Sequence, residues 1–380
     1  MIYLDNSATT KPYPEVLDTF RKVAESHFAN PSSIHGKGSE AERLLLQARS
    51  IVADLLHVHS KEIVFTSGGT EGNNLAIKGT AFQHQSRGKH LITTAVEHAS
   101  TLESFKQLED IGFEVTYLPV DAAGRISMED LRKEVRKDTI LVSMIHVNNE
   151  IGTIQPIEEA GEYLRNFPKA VFHVDHVQGL SKVPLNFKKA KVDLCTMSAH
   201  KVHGLKGSGI LYVRSGVKLF PLFTGGEQEG TVRAGTENVP GVVAMAKALR
   251  VVLEKSKSGI KQLRHLQETA RKELCEIDGI LINTPEQNSA PHILNFSVPR
   301  IKPEVLIHTL EEEGIYISTK SACSSKAQGG SRILEAAGYG PERSEHALRV
   351  SFSFENRQDD IERLVEALEE VLPKLKSVMG

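Results

Sequence analysis

Between about residue 60 and residue 215, short runs of β-branched and apolar residues alternate with longer amphipathic stretches. The runs are EIVFTS, HLITTAV, FEVTYLPV, TILVSMIHV, AVFHVDHV, VDLCTMSA and GILYVR. Strands alternating with helices predict an α/β domain built on a mostly parallel, seven-stranded sheet. The helices carry their own period: in SEAERLLLQARSIVADLL, residues Leu44, Ala48, Ile51, Val52 and Leu55 recur at spacings of three and four, which makes one apolar face to lay on the sheet. Past Asn238-Val239-Pro240 a long helical run extends from GVVAMAKALRVVLEK to about Cys275 and carries the chain out of this domain. A smaller α/β unit follows, with predicted strands in HILNFSV, IYIST and LRVSFSF. Its last helix sets Ile361, Leu364, Val365, Leu368, Val371, Leu372 and Leu375 on one stripe. The expected division is a large domain over residues 16–250 and a small domain made of residues 1–15 and 251–380. Because the join reads as a helix and not as a Pro/Gly-rich tether, a rigid cleft between the two units is expected.

Composition narrows the partners. The 380 residues hold 46 Lys+Arg against 48 Asp+Glu, a net charge of -2, so no global field would hold a nucleic-acid backbone or an anionic membrane. With 40% hydrophobic and 25% charged residues the chain is a globular protein and not a disordered one. No apolar stretch approaches the roughly 20 residues that span a bilayer. The three cysteines, Cys195, Cys275 and Cys323, form no CxxC pair, and MIYLDNSATT lacks the basic and apolar regions of a secretory signal. A reducing, cytoplasmic location is the expectation.

Three segments carry candidate chemistry. Thr66-Ser67-Gly68-Gly69-Thr70-Glu71-Gly72-Asn73-Asn74 follows the EIVF strand and opens a helix, so its glycines, free N–H groups and the Thr70 hydroxyl suit a phosphate. An ordinary tight strand-to-helix turn would use the same residues, and the segment matches neither the GxxxxGK[ST] nor the GxGxxG pattern. The second is a pair of strand ends, HVDHVQ with Asp175 and SAHK with Lys201. A charge at the end of a buried apolar strand needs a partner. Asp175 and Lys201 could pair with each other, or each could serve a cofactor that offers a positive ring nitrogen and a carbonyl; pyridoxal phosphate has both, and a phosphate for the Gly69-Thr70 turn. His200 and His203 flank Lys201, but no carboxylate or cysteine completes a ligand set, so no metal site is expected. The third is Cys323, in the small, polar, Gly-rich stretch from Ser321 to Ser331. An exposed thiol in an adaptable loop near Lys326 is placed to ionise, whereas Cys195 in a strand and Cys275 in a helix are expected to be packing residues.

Taken in order, GGTEGNN, VEHAS, NNEIG, HVDHVQ, SAHKVHG, RAGTEN, SAC and LRVSFS resemble the cysteine desulfurases of the nitrogen-fixation and iron–sulfur assembly group. These are class V relatives within the aspartate-aminotransferase fold (fold type I) of pyridoxal-phosphate enzymes. The resemblance runs from YLDNSATT to the C-terminal helix. It implies that Lys201 holds the cofactor as a Schiff base, that Asp175 pairs with the pyridinium nitrogen and that Gln178 bonds the phenolic oxygen. It implies that His98 stacks on the ring and moves protons. Gly69, Thr70, Ser198 and His200 would hold the phosphate, and Thr236 would reach the phosphate of a neighbouring subunit, which makes a homodimer. Asn149 and Arg349 would orient the substrate, Arg349 by a fork on its carboxylate. The implied reaction takes sulfur from L-cysteine onto Cys323 as a persulfide, leaves L-alanine, and passes the sulfur to an iron–sulfur scaffold, a tRNA-thiolating enzyme or a thiamine-pathway carrier.

Two other readings use the same residues: an aminotransferase or selenocysteine lyase of the same class with Cys323 incidental, and an inactive docking protein with a relic pocket. Two departures from the pattern stand out. His176 takes a position where relatives often carry a small residue, and Gln328-Gly329-Gly330 replaces the SLEP-type continuation of the cysteine segment.

Overall fold

A computed structural model describes residues 1–319 and 329–379; Cys323 and Lys326 lie outside the described residues. The seven runs of the first half all form strands of one sheet. Across it the order is Ile63–Thr66, Gly209–Val213, Leu194–Ser198, Val171–Asp175, Thr139–Ile145, His90–Thr94 and Glu114–Leu118. Only Gly209–Val213 runs antiparallel to its neighbours; the remaining pairings are parallel.

Neighbouring residues of these strands enter opposite cores. Leu91, Leu141, Val171, Leu194 and Leu211 pack with Leu75, Ala76, Ile77 and Ala81 of the helix Gly69–His84. Ile92, Val142, Phe172, Cys195 and Ile210, one residue along each strand, belong to a second cluster on the other face. A period of two on a sheet covered from both sides explains why these runs read as nearly unbroken apolar stretches. Cys195 is a packing residue as expected, and burial pushes its thiol well up. Cys275 is not: Leu274 takes the buried position and Cys275 is exposed, because the next residue on a helix turns about 100° away.

Of the predicted face of the early helix, Gly36–Leu56, Ala48 and Val52 are buried and Leu44, Ile51 and Leu55 partly so, while Leu45, outside that face, is buried as well. The helix meets Ile63 and Phe65 of the edge strand, and also Val242, Met245, Leu249 and Val252 of the helix Val239–Glu276, more than the sheet alone. That helix is 38 residues, about 57 Å at 1.5 Å per residue. Its first half packs in the large core and its second half, through Leu263, Leu266, Ala270 and Leu274, in a separate one.

The second core is closed by Ile361, Leu364, Leu368, Val371 and Leu372 of the last helix, Gln358–Met379. Its sheet has three antiparallel strands, Ala347–Ser351, Ile293–Ser297 and Leu281–Ile282. IYIST does not join that sheet as a strand. It supplies the strand Ile315–Tyr316, paired in parallel with Ile2–Tyr3, and then a single bridge from Ser318 to Arg349 of the sheet, so the amino-terminal residues complete the second unit. From there residues 5–10 cross to the first unit, where Thr10 N–H donates to the His200 carbonyl at 2.8 Å.

Candidate active site

The parallel strands end on one side of the sheet, and their last residues include Thr66, Ile145, Asp175 and Ser198. Ligands of open α/β sheets sit at such ends, where the chain leaves the sheet in loops and helix N-termini. Here a cavity of about 230 Å³ lies between those ends and the second unit. Gly69, Thr70, His98, Asn149, Asp175, Gln178, Ser198, His200, Lys201 and Arg349 all line it. Thr236 does not; it is exposed outside the cavity. The segment that carries it is tied to the phosphate-type turn by Arg233, whose Nε lies 2.9 Å from the Glu71 carboxylate.

The turn is shaped for close approach. Gly68 has φ +153 and ψ -172, backbone that L side chains rarely adopt, and it caps the helix Gly69–His84 with no side-chain hydrogen bond. A Cβ on Gly69 would sit 3.1 Å from Val177 Cγ2. Gly69 and Thr70 of the first turn line the cavity, and the buried Ser198 hydroxyl there has no partner. Glu71 closes the turn from behind, accepting from Ser67 N–H at 2.8 Å. Burial raises its carboxyl, but the bonds from Ser67 and Arg233 outweigh that and hold it below the usual range.

Asp175 accepts from Val177 N–H at 3.0 Å and from Asn73 Nδ2 at 2.8 Å. Gln178 Nε2 donates to the Ser7 carbonyl at 2.9 Å. Lys201 Nζ donates to the same carbonyl at 2.5 Å and to that of Ala8 at 2.7 Å. Its own carbonyl accepts from Lys182 Nζ at 2.9 Å, and burial brings the Lys182 ammonium down to about 8. His200, held by Thr9 Oγ1 at 3.2 Å, is pushed down to about 4 by burial and by the adjacent Lys201 charge, so it lines the site as neutral imidazole. Behind Asp175, His176 packs its Nδ1 2.8 Å from Nδ1 of His146 and meets Phe187 edge-on. Both rings are buried, which lowers His146 to about 4 and holds His176 well below its ordinary value. Asp175 and Gln178 keep their register despite the bulk at 176, since both still line the cavity.

On the second unit's side, Arg349 is 1% exposed. Nη1 donates to the Asn149 carbonyl at 2.7 Å, Nη2 pairs with Asp5 at 2.8 Å, and buried Nε has no partner. A guanidinium so held is oriented before a substrate carboxylate arrives, and that carboxylate would meet Asp5 as a competitor for the fork. Next to His98 in the chain, Glu97 accepts from Thr94 Oγ1 at 2.7 Å and from Ile145 N–H at 2.8 Å, while its Oε2 has no partner. Full burial pushes this carboxyl up to about 8. Arg332, past the cysteine segment, donates to the carbonyls of Ala95 and Glu97, and Ser331 donates to Glu150 at 2.6 Å.

A family model described as aminotransferase class-V matches residues 2–364. The chain belongs to the class-V aminotransferase family. It is 47% identical over 373 residues to the NifS/IcsS protein homolog of Lactobacillus delbrueckii subsp. bulgaricus, covering 98% of this chain and 97% of that protein. It is 41% identical over 378 residues to cysteine desulfurase IscS of Dictyoglomus turgidum, covering 99% and 96%. Among solved structures, a NifS-like protein superposes with a TM-score of 0.93 at 37% identity, covering 98% of this chain and 100% of that one. A second, described as SspA in complex with cysteine, gives 0.82 at 34% identity, covering 93% and 99%. Within the class-V family the chain is thus one of the NifS-like cysteine desulfurases, with the fold type I architecture expected of them.

Pyridoxal phosphate is the cofactor this class-V fold implies, and the residues present fit it. An uncapped helix N-terminus with an unpartnered buried Ser198 hydroxyl suits a phosphate. A carboxylate, Asp175, and a lysine amine, Lys201, on the lining of one cavity suit a ring nitrogen and a carbonyl. Sequence reasoning missed Ser7 and Ala8, which hold Lys201, and Asn73 and Ser100, which join Asp175 to His98. Asn73 and Ser100 lay within the quoted motifs, but neither carries a charge or reactive group that would single it out.

Proposed function

We propose that this class-V enzyme uses pyridoxal 5'-phosphate to move the sulfur of L-cysteine onto Cys323, leaving L-alanine. What carries the reading is the convergence of Lys201, Asp175, His98 and Arg349 on one cavity within a NifS-like chain. When bound, pyridoxal phosphate supplies an electron sink that acidifies the substrate Cα–H and weakens its Cβ–S bond. Gly69, Thr70, Ser198 and His200 hold the phosphate, and Asp175 and Gln178 fix the ring. Lys201, oriented by the carbonyls of residues 7 and 8, takes the α-proton as free amine. Arg349 and Asn149 hold the substrate carboxylate. The Cys323 thiolate attacks the substrate sulfur: an S–S bond forms, the Cβ–S bond breaks, its electron pair goes to the carbon side, and a proton delivered to Cβ completes alanine.

The sulfur then passes to an acceptor from sulfur-using biosynthesis: an iron–sulfur scaffold, a tRNA-thiolating enzyme or a thiamine-pathway carrier. Transfer of labelled sulfur from Cys323 to a captured protein identifies which. We also place the enzyme in a reducing, cytoplasmic setting that keeps Cys323 available, and as a homodimer in which Thr236 reaches the neighbour's phosphate site. The dimer is supported by exposed apolar Leu46, which lines a second cavity of about 760 Å³ with Pro31, residues 227–232 and Glu237, and by exposed Phe28 and Ile34 close in sequence to Pro31. Cys323→Ser should bind pyridoxal phosphate and keep its yellow absorption but form no persulfide from cysteine. Undiminished sulfide and alanine release by that variant would remove Cys323 from the reaction.

A further inference from the structure

Asn73 is 1% exposed on the first turns of the helix Gly69–His84, and its side chain joins two groups that face the cavity from different elements. Nδ2 lies 2.8 Å from Asp175 Oδ2 and 2.9 Å from Ser100 Oγ. Ser100 Oγ in turn lies 2.8 Å from His98 Nδ1, and Ser100 N–H donates to the same nitrogen at 3.1 Å. His98 is the N-cap of the helix Ala99–Asp110, so its ring stands in the position a capping acceptor takes.

We propose that Asn73 is a positioning residue: it orients the Asp175 carboxylate and, through the Ser100 hydroxyl, steadies the His98 ring in the tautomer that Ser100 N–H selects, with its proton on Nε2. The direction of the chain follows from the chemistry of its two ends. A carboxylate accepts only, so the amide must turn Nδ2 toward Asp175, and the reversed amide would set Oδ1 against a negative oxygen. Nδ2 then supplies its second hydrogen to Ser100 Oγ, which frees the hydroxyl hydrogen for His98. At the other end a backbone N–H can only donate, so Nδ1 must present its lone pair. Both ends agree, and the proton of neutral His98 sits on Nε2, on the ring edge that Ser100 does not engage. Asn73 Oδ1 is left buried without a partner, so the amide's place is set by its donor side.

The consequence rests on the desulfurase reading: with Nδ1 held by Ser100, His98 lines the cavity presenting Nε2–H as a hydrogen-bond donor, while Lys201 takes the α-proton. A fixed order of donation follows from one amide that touches neither substrate nor sulfur.

The test uses pyridoxal-phosphate-loaded enzyme labelled with ¹⁵N-histidine, with His98→Gln assigning the His98 signals. Long-range ¹H–¹⁵N spectra should show His98 protonated at Nε2 in the wild type, and Asn73→Ala should keep that tautomer, held by Ser100 N–H, but shift the Nδ1 resonance as the Ser100 hydroxyl bond loosens. In parallel, kcat for alanine formation should fall roughly tenfold to a hundredfold with KM for cysteine little changed, the size expected of a mispositioned catalytic group. The double variant Asn73→Ala/Ser100→Ala should lose no more than Asn73→Ala alone, because both cut one chain. An unchanged His98 pattern in Asn73→Ala, or additive losses in the double variant, would overturn the proposal. If Asn73→Ala does not fold, Ser100→Ala decides the His98 arm in the same way. Failure to make alanine from cysteine counts against the functional reading; the tautomer spectra decide Asn73 independently of it.

Discussion

Glu97 stands directly before His98, yet no pattern around it separates a buried carboxyl from a surface one. Only the packed structure shows that both its neighbours and its own burial keep it from water. With its carboxyl raised to about 8 in the folded protein, the native state holds a proton that the unfolded chain gives up near its ordinary value. Stability from this group is therefore full at acid pH and declines as pH rises toward about 8, by roughly 3 kcal/mol between about pH 5 and pH 8. Glu97→Gln should flatten that decline, measured as urea midpoints across pH; a slope identical to the wild type would show that Glu97 is ionised throughout. The cysteines make the same point about legibility. Cys195 was readable as a packing residue because every residue of its strand is buried, whereas Cys275 depended on which side of a helix faces solvent at one position.

At the level of elements, the period of two and the helical stripes were strong signals because many positions repeat them. All seven strands of the large sheet and the last helix formed where the pattern places them. In the small unit IYIST forms a strand as predicted, and its pairing was what the pattern left open: a strand takes the backbone it finds, and Ile315–Tyr316 finds Ile2–Tyr3. The turn before Gly69–His84 was readable as a glycine-rich strand-to-helix join, while its open N-terminus was not. Gly68→Ala places a Cβ on backbone that only glycine adopts without strain, at a cost of about 1–3 kcal/mol. We expect it to relax the turn and to release pyridoxal phosphate faster on dialysis, read as loss of visible absorption. Retention equal to the wild type would show that the turn does not hold the phosphate.

For the whole molecule, the site exists because three distant stretches meet: Asp5 to Ala8, the strand ends of the large sheet, and Arg349 of the second unit. The long helix Val239–Glu276 shares both cores and fixes their spacing. The homodimer proposal belongs at this scale. Mixing inactive Lys201→Ala with inactive Thr236→Ala should restore part of the activity, since a mixed dimer holds one site with both residues intact; no recovery despite subunit exchange would leave Thr236 in its own subunit's service. Residue order alone determined the strand and helix pattern, the charged strand ends, the cysteine apart from the other two and the family resemblance, because each is a local or cumulative property of the chain. The folded structure decided which groups meet: Lys201 on the carbonyls of residues 7 and 8, Arg349 between Asp5 and Asn149, and Asn73 between Asp175 and Ser100. Those contacts join residues up to 344 positions apart, and they depend on distance and direction in space, which no spacing along the chain encodes.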